Sequence, residues 1–356
     1  MYKKYLKMCF LLFLLINLYS YNFPDLKVIK NPKPNIWEKK YVRLFKFKTI
    51  SEDLGNGNFL FWPCSLTVDE EGNIYVYDKS EAKIFKFTKD FKLFKIFGKK
   101  GIGPGEFSGT GPHFHITIKI GRDGKLYAND ANGFKIIVFN LNGNYIEDFK
   151  IKHSWFNFML VDKNGNFYAP IMKKGLIGIF NRKMELIDTL IDNKEKYVYL
   201  FQTPSPEQLK FLYLIDFCGN FIGDLTLNSS LIIYLLNSSK IFIIKNRRIV
   251  KQFSVLPDKA LKLTQKNIKE KKKWIPIFGK LFVDEDNNKF FYLVFSSRDK
   301  IKNSIYIYKL NLRGELIKVL YVPLRENESF PKFQCKKNGI FYALNEGKIT
   351  LYRENK

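Results

Sequence analysis

The sequence predicts an all-β fold that is built from repeated four-stranded units. Phe and Tyr are abundant, at 35 and 20 residues, and aromatic and β-branched residues favour strands over helices. A strand, a tight polar turn and a second strand occur together six times, most clearly in SLTVDEEGNIYVYD at residues 65–78. The turns recur at intervals of roughly 40 to 65 residues, and such a period with several strands per unit predicts a β-propeller.

The first unit shows its four strands in order. They are CSLTVD, NIYVYD, KIFKFT and KLFKIFG, in which apolar and polar residues alternate and Gly, Asn, Asp or Lys occupy the turns. Each later unit repeats this pattern, although the last one ends after three strands. The strand–turn–strand pairs of these later units lie at residues 116–130, 158–170, 224–236, 280–294 and 333–344.

The strand that the last unit lacks is present near the N-terminus. YVRLFKFKTI at residues 41–50 has no partner strand before it. LGNGNFLFWP follows it and mirrors GIGPGEFSGTGP between the first two units, so that Phe59 matches Phe107 and Pro63 matches Pro112. We therefore expect a six-bladed β-propeller of four-stranded antiparallel blades, in which the N-terminal strand closes the last blade and removes the open edges.

The segment FGKKGIGPGEF at residues 97–107 is predicted to be a hinge between two units. Its glycines, Gly101, Gly103 and Gly105 among them, allow the turn conformations that the connection needs, and Pro104 stiffens the bend. A phosphate-binding loop would have a different glycine spacing and would open a helix, whereas a strand is expected here.

The repeated pattern of glycines and strands resembles that of a known family. The pattern G-x-G-P-G-E-F, a Pro, V-D-x-x-G-N-I-Y-V-x-D and then K-I-x-x-F is similar to the NHL-type repeat of six-bladed β-propellers. The resemblance covers about residues 40–356 and is best at 97–151. It implies that Asp78 and Asp130, which close second strands, order turns; the third unit has Pro170 at that position.

The N-terminus has the layout of a secretory signal peptide. A basic segment, MYKKYLK, precedes the apolar run MCFLLFLLINLY, which is too short to span a bilayer comfortably. We expect a signal peptide at residues 1–20, a linker at 21–39 and the propeller at 40–356. The exported chain is expected to be periplasmic or extracellular, with no transmembrane segment.

Antiparallel meander topology places the long connections between units on one face of the ring, which we call the loop-rich face. Lys99 and Lys100 are expected there, and so are two connector inserts near residues 193–221 and 256–276. First strands open with aromatic and mostly uncharged stretches such as WPCSL and WFNFM, which contain Trp62 and Trp155. An aromatic mouth suits a peptide, a glycan or an apolar ligand better than acid–base catalysis.

The three histidines, His113, His115 and His153, fall near the starts of two first strands. Three imidazoles near a channel mouth could hold a divalent metal. The resemblance to the NHL-type family points the same way, since some lyases of that type place metal-ligating histidines there. However, the last three units contain no histidine, so chance neighbours remain the simpler interpretation. These residues stay candidates for ligand binding, and metal ligation is the alternative.

These observations favour a non-enzymatic binding protein without a cofactor. We expect a monomer that binds a protein, a peptide or a glycan at the cell envelope through its loop-rich face. The alternative is a metal-dependent lyase or hydrolase with a site at the mouth of the central channel. The net charge of +26 fits either solvated strand faces or an anionic partner. Nucleic-acid binding is not favoured, because the signal peptide indicates export.

Overall fold

The structure is a computed structural model, and every regular element in the residues that it describes is a β-strand. No helix long and apolar enough to cross a membrane occurs in this described part. It comprises residues 28–30, 41–51, 53–109, 116–130, 133–151, 160–171, 176–189, 221–225, 231–235, 240–245, 248–254, 277–284, 286, 289–298, 303–325, 328, 331–345 and 347–354.

In the described part of the chain, four strands precede the first repeated unit, and three units of four antiparallel strands follow. In each unit, consecutive strands pair in the order in which they occur along the chain. The early strands are β1 (Val28–Lys30), β2 (Tyr41–Ile50), β3 (Asp53–Gly55) and β4 (Asn58–Phe59). Unit 1 is β5 (Pro63–Val68), β6 (Ile74–Asp78), β7 (Lys83–Phe87) and β8 (Leu93–Phe97); unit 2 is β9 (Thr117–Ile120), β10 (Leu126–Asp130), β11 (Lys135–Phe139) and β12 (Tyr145–Lys150); unit 3 is β13 (Leu160–Val161), β14 (Phe167–Ile171), β15 (Leu176–Phe180) and β16 (Leu186–Thr189).

The second half of the chain contains two more four-stranded units and a final group of three strands. Unit 4 is β17 (Phe221–Leu225), β18 (Leu231–Leu235), β19 (Lys240–Lys245) and β20 (Arg248–Ser254); unit 5 is β21 (Ile277–Val283), β22 (Phe290–Arg298), β23 (Asn303–Asn311) and β24 (Leu316–Pro323); unit 6 is β25 (Lys332–Lys337), β26 (Ile340–Asn345) and β27 (Lys348–Glu354).

The units stand side by side with their first strands innermost. β5 contacts β9, β17 contacts β21, and β21 contacts β25. β25 of unit 6 also contacts β5 of unit 1, so the series of units returns to its start. Meander sheets arranged in this way form a β-propeller, which agrees with the fold class that the sequence predicts.

The N-terminal segment pairs with three different units. Leu44–Ile50 of β2 runs antiparallel to β27, while Tyr41–Arg43 runs parallel to β24. β1 runs parallel to β20, with Ile29 opposite Phe253. The sequence predicts a strand at residues 41–50, but it predicts neither the parallel pairing nor β1, which lies in the expected linker.

The core lies between neighbouring sheets, so the second strands of units 1 and 2 are covered on both faces. All five residues of β6 are buried, and so are all five of β10. Phe107, from the connection between units 1 and 2, inserts between those units and packs on Tyr77 at 4.9 Å between ring centroids. Both faces of these strands are apolar because both face another sheet.

Candidate ligand-binding face

Of the predicted ligand-binding residues, the structure describes Trp62, Lys99 and Lys100, and all three belong to connections on the loop-rich face. Four further candidates lie outside the described residues: His113, His115, His153 and Trp155. The expected signal peptide and most of both connector inserts lie outside them as well.

Trp62 lies directly before β5, and its backbone is held on both sides. Its N–H donates to Asp78 Oδ2 at 2.8 Å, and its carbonyl oxygen accepts from the Lys79 N–H at 2.9 Å. The side chain is 55% exposed, and Lys79 Nζ lies 4.7 Å from the centre of its ring. The indole is therefore presented to solvent from a fixed backbone, with a cation against one of its faces.

Trp62 is the last of three exposed aromatic residues in the segment NFLFW. Phe59 and Phe61 are 38% and 58% exposed, and their ring centroids are 5.6 Å apart. Leu60 between them is fully buried and anchors the segment in the core. We call Phe59, Phe61 and Trp62 the aromatic patch. Exposed apolar groups of this kind mark interaction sites, and Trp is enriched among the residues that dominate binding energy.

The predicted equivalence of the two glycine-containing connections holds only in part. Phe107 is fully buried, whereas Phe59, its match in the sequence, is exposed. The Trp62 and Ser108 N–H groups donate to equivalent aspartates, which aligns Phe61 with Phe107. Phe61 is also exposed, and the buried residue of this segment is Leu60.

Asp78 and Asp130 occupy equivalent places at the ends of β6 and β10, and both are fully buried. Asp78 accepts from the N–H groups of Trp62, Ser80 and Glu81, at 2.8, 2.9 and 3.1 Å. Such contacts fit the turn-ordering role that the family resemblance implies for this carboxylate.

Asp130 repeats this arrangement in unit 2. It accepts from the Ser108 N–H and hydroxyl, both at 2.7 Å, and from the Gly133 N–H at 3.0 Å. Each carboxylate therefore ties the chain that enters its unit to the turn that leaves the second strand.

The hinge segment at residues 97–107 is closed on itself. The Glu106 carboxylate pairs with Lys99 Nζ at 2.9 Å and accepts from the Gly103 N–H at 2.9 Å. The hydrogen bond to Glu106 raises the pKa of Lys99, and Lys99 in turn lowers the pKa of Glu106. A Cβ atom at Gly101 would collide with the Glu106 carboxylate, and Gly105 has a φ of +69°. Lys99 is thus already paired within its own loop.

Lys100 is exposed, as Lys99 is, and its backbone forms a bridge to Phe107. Lys135 reaches the same loop from β11 and donates to the Gly103 carbonyl oxygen at 2.8 Å.

A second set of aspartates lies at the turns between first and second strands, on the opposite face, which we call the turn face. Tyr75 donates to Asp69 at 3.1 Å, and equivalent tyrosines donate to Asp162 and Asp284 at 3.2 and 3.0 Å. Burial raises the pKa of each of these tyrosines, so their hydroxyls stay protonated donors. The D-x-x-G-N-x-Y spacing carries this signal for Asp69 and Asp162, whereas Asp284 lies eight residues before its tyrosine and does not follow it.

An ion pair lies among the inner strands. Lys119 Nζ of β9 is 2.8 Å from Asp224 Oδ1 of β17, whose Oδ2 accepts from the Val283 N–H of β21 at 2.9 Å. Burial alone would raise the pKa of Asp224, but Lys119 and Arg122 lower it below its usual value. This carboxylate is therefore ionised and paired, which suits a structural link between units better than proton transfer.

Nothing in the described residues groups three His, Cys, Asp or Glu side chains as metal ligands. The metal-dependent alternative depends on the three histidines, which are outside those residues. The geometry of the described part thus offers a binding surface, the aromatic patch, as its candidate site.

No protein-family model matches the chain, and no curated protein matches it in sequence. Its fold is similar to that of solved β-propeller proteins. One of them is a protein from Bacteroides fragilis that is described as exported. It has a TM-score of 0.57 at 11% identity, over 93% of this chain and 100% of that one. A DUF4221 family member from Bacteroides vulgatus has a TM-score of 0.54 at 12% identity, over 88% and 98%. An inactive virginiamycin B lyase from Staphylococcus aureus, solved with quinupristin, has a TM-score of 0.51 at 12% identity, over 86% and 99%. At these identities the likeness shows the fold alone.

Proposed function

We propose that this chain is an exported, non-enzymatic β-propeller of the NHL-like type. It binds a protein, a peptide or a glycan at the cell envelope through its loop-rich face. The chain acts as a monomer in the periplasm or outside the cell. The signal-peptide layout supports export, and the designation of the Bacteroides fragilis neighbour is consistent with it.

The propeller has six blades, and β2 supplies the fourth strand of the last one. Two observations support this count: units 1 to 5 have four strands each, and β2 pairs with β27 from Leu44 to Ile50. A chain that lacks residues 41–50 is expected to lose its cooperative unfolding transition, because the open edge of β27 and the apolar face under Leu44 become exposed. Circular dichroism during thermal unfolding tests this, and a truncated chain that unfolds cooperatively as a stable monomer would contradict closure.

The aromatic patch is the observation that carries the binding proposal. Trp62 is 55% exposed and so contributes little apolar burial to the fold, yet the fully buried Asp78 fixes the backbone that presents it. A preorganised aromatic group loses little conformational entropy when a ligand covers it. Lys79 beside the indole adds a positive charge to this site.

Binding to arrayed glycans and to a peptide library tests the proposal. Trp62→Ala is expected to weaken binding to whichever ligand the wild-type chain selects by about 2 kcal/mol or more. Phe94→Ala is the matched control, because Phe94 is similarly exposed but lies on the outer strand β8, away from the loop-rich face. Both variants should unfold at the same temperature as the wild-type chain. Equal binding by all three chains, or binding of no glycan or peptide at all, would overturn the proposal.

A further inference from the structure

The outer edges of the units are occupied unequally. The outer strands of units 4 and 5 are each covered by part of the N-terminal segment, which is the short β1 on unit 4 and the first three residues of β2 on unit 5. Val28–Lys30 lies parallel to Gln252–Ser254 of β20, and Tyr41–Arg43 lies parallel to Val319–Tyr321 of β24. The propeller therefore accepts a fifth, parallel strand on the outside of a four-stranded sheet.

Units 1, 2 and 3 have no such additional strand in the described part of the chain. Their sheets end at β8, β12 and β16. The outer strand of an open sheet presents a row of backbone N–H and C=O groups that can pair with another chain. Recognition by strand addition uses these groups for affinity and the alternate side chains for selectivity.

β12 and β16 each expose two large apolar residues followed by an acidic one, and of the two β12 offers the longer edge. It is the longest, with six residues. Tyr145 and Ile146 are 43% and 40% exposed, although both are large and apolar. Glu147 and Asp148 follow them, so this edge carries acidic side chains although the net charge of the chain is +26.

Each acidic residue of β12 already lies beside a basic side chain of the described part. Glu147 lies 3.8 Å from Arg182, and Asp148 Oδ2 lies 3.3 Å from Lys135 Nζ. Asp148 Oδ1 is buried and has no hydrogen-bond partner in that part of the chain. The edge thus combines an apolar half with a half that favours basic groups.

We propose that the outer edge of β12 binds an extended segment of a partner protein, which adds to unit 2 as a parallel strand. The segment carries two apolar residues followed by a basic one. Val28-Ile29-Lys30 and Tyr41-Val42-Arg43 have this pattern in the two additional strands that the chain supplies to itself. Those strands are tethered to the molecule and need no charge complementarity, whereas a separate partner gains affinity and a faster association rate from it.

A fluorescent peptide with the sequence of residues 26–33, LKVIKNPK, is the probe, and its anisotropy is measured against the full-length chain. Saturable binding is expected. Ile146→Lys places a positive charge on the edge and should weaken binding about ten-fold. Val250→Lys is the matched control, since Val250 is 45% exposed on β20, whose edge already carries β1. This control should leave the affinity within about two-fold of the wild-type value.

The peptide itself provides a second test that leaves the protein unchanged. Methylation of the Ile29 backbone nitrogen removes a hydrogen-bond donor and should abolish binding, while methylation of a side-chain lysine amine should not. Hydrogen exchange should show new protection in residues 145–150. The absence of saturable binding, an equal loss in Ile146→Lys and Val250→Lys, or full binding by the backbone-methylated peptide would each overturn the proposal. None of these results depends on Trp62, so the loop-rich face is tested separately.

Discussion

The two faces of the propeller use buried aspartates for different purposes. On the loop-rich face, Asp78 and Asp130 accept backbone N–H groups from the connection that enters their unit. On the turn face, Asp69 and Asp162 accept a tyrosine hydroxyl from the second strand of their own unit. The first arrangement determines which side chains a long connection presents. The second ties two strands of one sheet together, and the same carboxylates also accept backbone N–H groups of the tight turn between those strands.

The largest expected effect comes from Asp78→Ala on the loop-rich face. The substitution leaves three backbone N–H donors without their acceptor, and we expect a loss of about 4 kcal/mol in the free energy of unfolding. Asp53→Ala is the control, because Asp53 is exposed and accepts a hydrogen bond from the Gly55 N–H; its cost should be about 0.5 kcal/mol. Urea unfolding measures both. Similar values for the two variants would show that Asp78 does not order the connection.

On the turn face, Lys336→Met should cost about 3 kcal/mol at neutral pH, because it leaves a buried carboxylate unpaired. Lys336 Nζ lies 3.0 Å from Asp284 and 2.6 Å from Asp286, and so links unit 6 to unit 5. Lys332→Met, at an exposed position of the same strand, is the control. A cost below that of the control would mean that this ion pair does not hold the two units together.

Lys336→Met should also change how the free energy of unfolding depends on pH. Burial would raise the pKa of Asp286, but its hydrogen bonds from Lys336, Asn338 and Gly339 lower it below the ordinary value. A carboxylate with a lowered pKa stabilises the fold above the pKa of the unfolded chain, about 4, and this contribution is lost as the pH falls through the lower folded value. Unfolding measured between neutral and acid pH should therefore show a smaller acid loss in Lys336→Met than in the wild-type chain.

The smallest effects should come from two tyrosines of β6 that differ in their partners. The Tyr75 hydroxyl, near the turn face, lies within hydrogen-bond distance of both Asp69 and the Leu141 carbonyl oxygen and shares its one proton between them, so Tyr75→Phe should cost about 1.5 kcal/mol. The Tyr77 hydroxyl, nearer the loop-rich face, is buried without a partner in the described residues. Tyr77→Phe should be neutral or slightly stabilising, because it removes an unpaired polar group. Chemical unfolding of both variants tests this order, and a greater cost at Tyr77 would contradict it.

Much of the fold follows from local patterns in the sequence. The alternation in NIYVYD and the Gly72 turn before it predict β5, β6 and their hairpin, and the structure has them at Pro63–Val68 and Ile74–Asp78. The strand at residues 41–50 is also predicted, since it repeats the same alternation. Trp62 and Lys100 are predicted on the loop-rich face because meander topology assigns connections to faces.

Other features depend on which residues meet across the ring. The sequence does not show that Phe59 turns outward while Leu60 turns inward, since both are apolar and only packing distinguishes them. It does not show β1, whose three residues form a strand only against β20. Nor does it show that Lys99 is neutralised by Glu106, which requires the loop to close on itself.

The sequence by itself therefore determined the strands, the turns and their repetition, because these depend on residues a few positions apart. Only the tertiary structure decided the pairing of Lys119 with Asp224, which are 105 residues apart, and the strands that cover the edges of units 4 and 5. The reason is physical. Alternation and turn residues act within one hairpin, whereas edges and buried charges find their partners only when the ring brings distant units together.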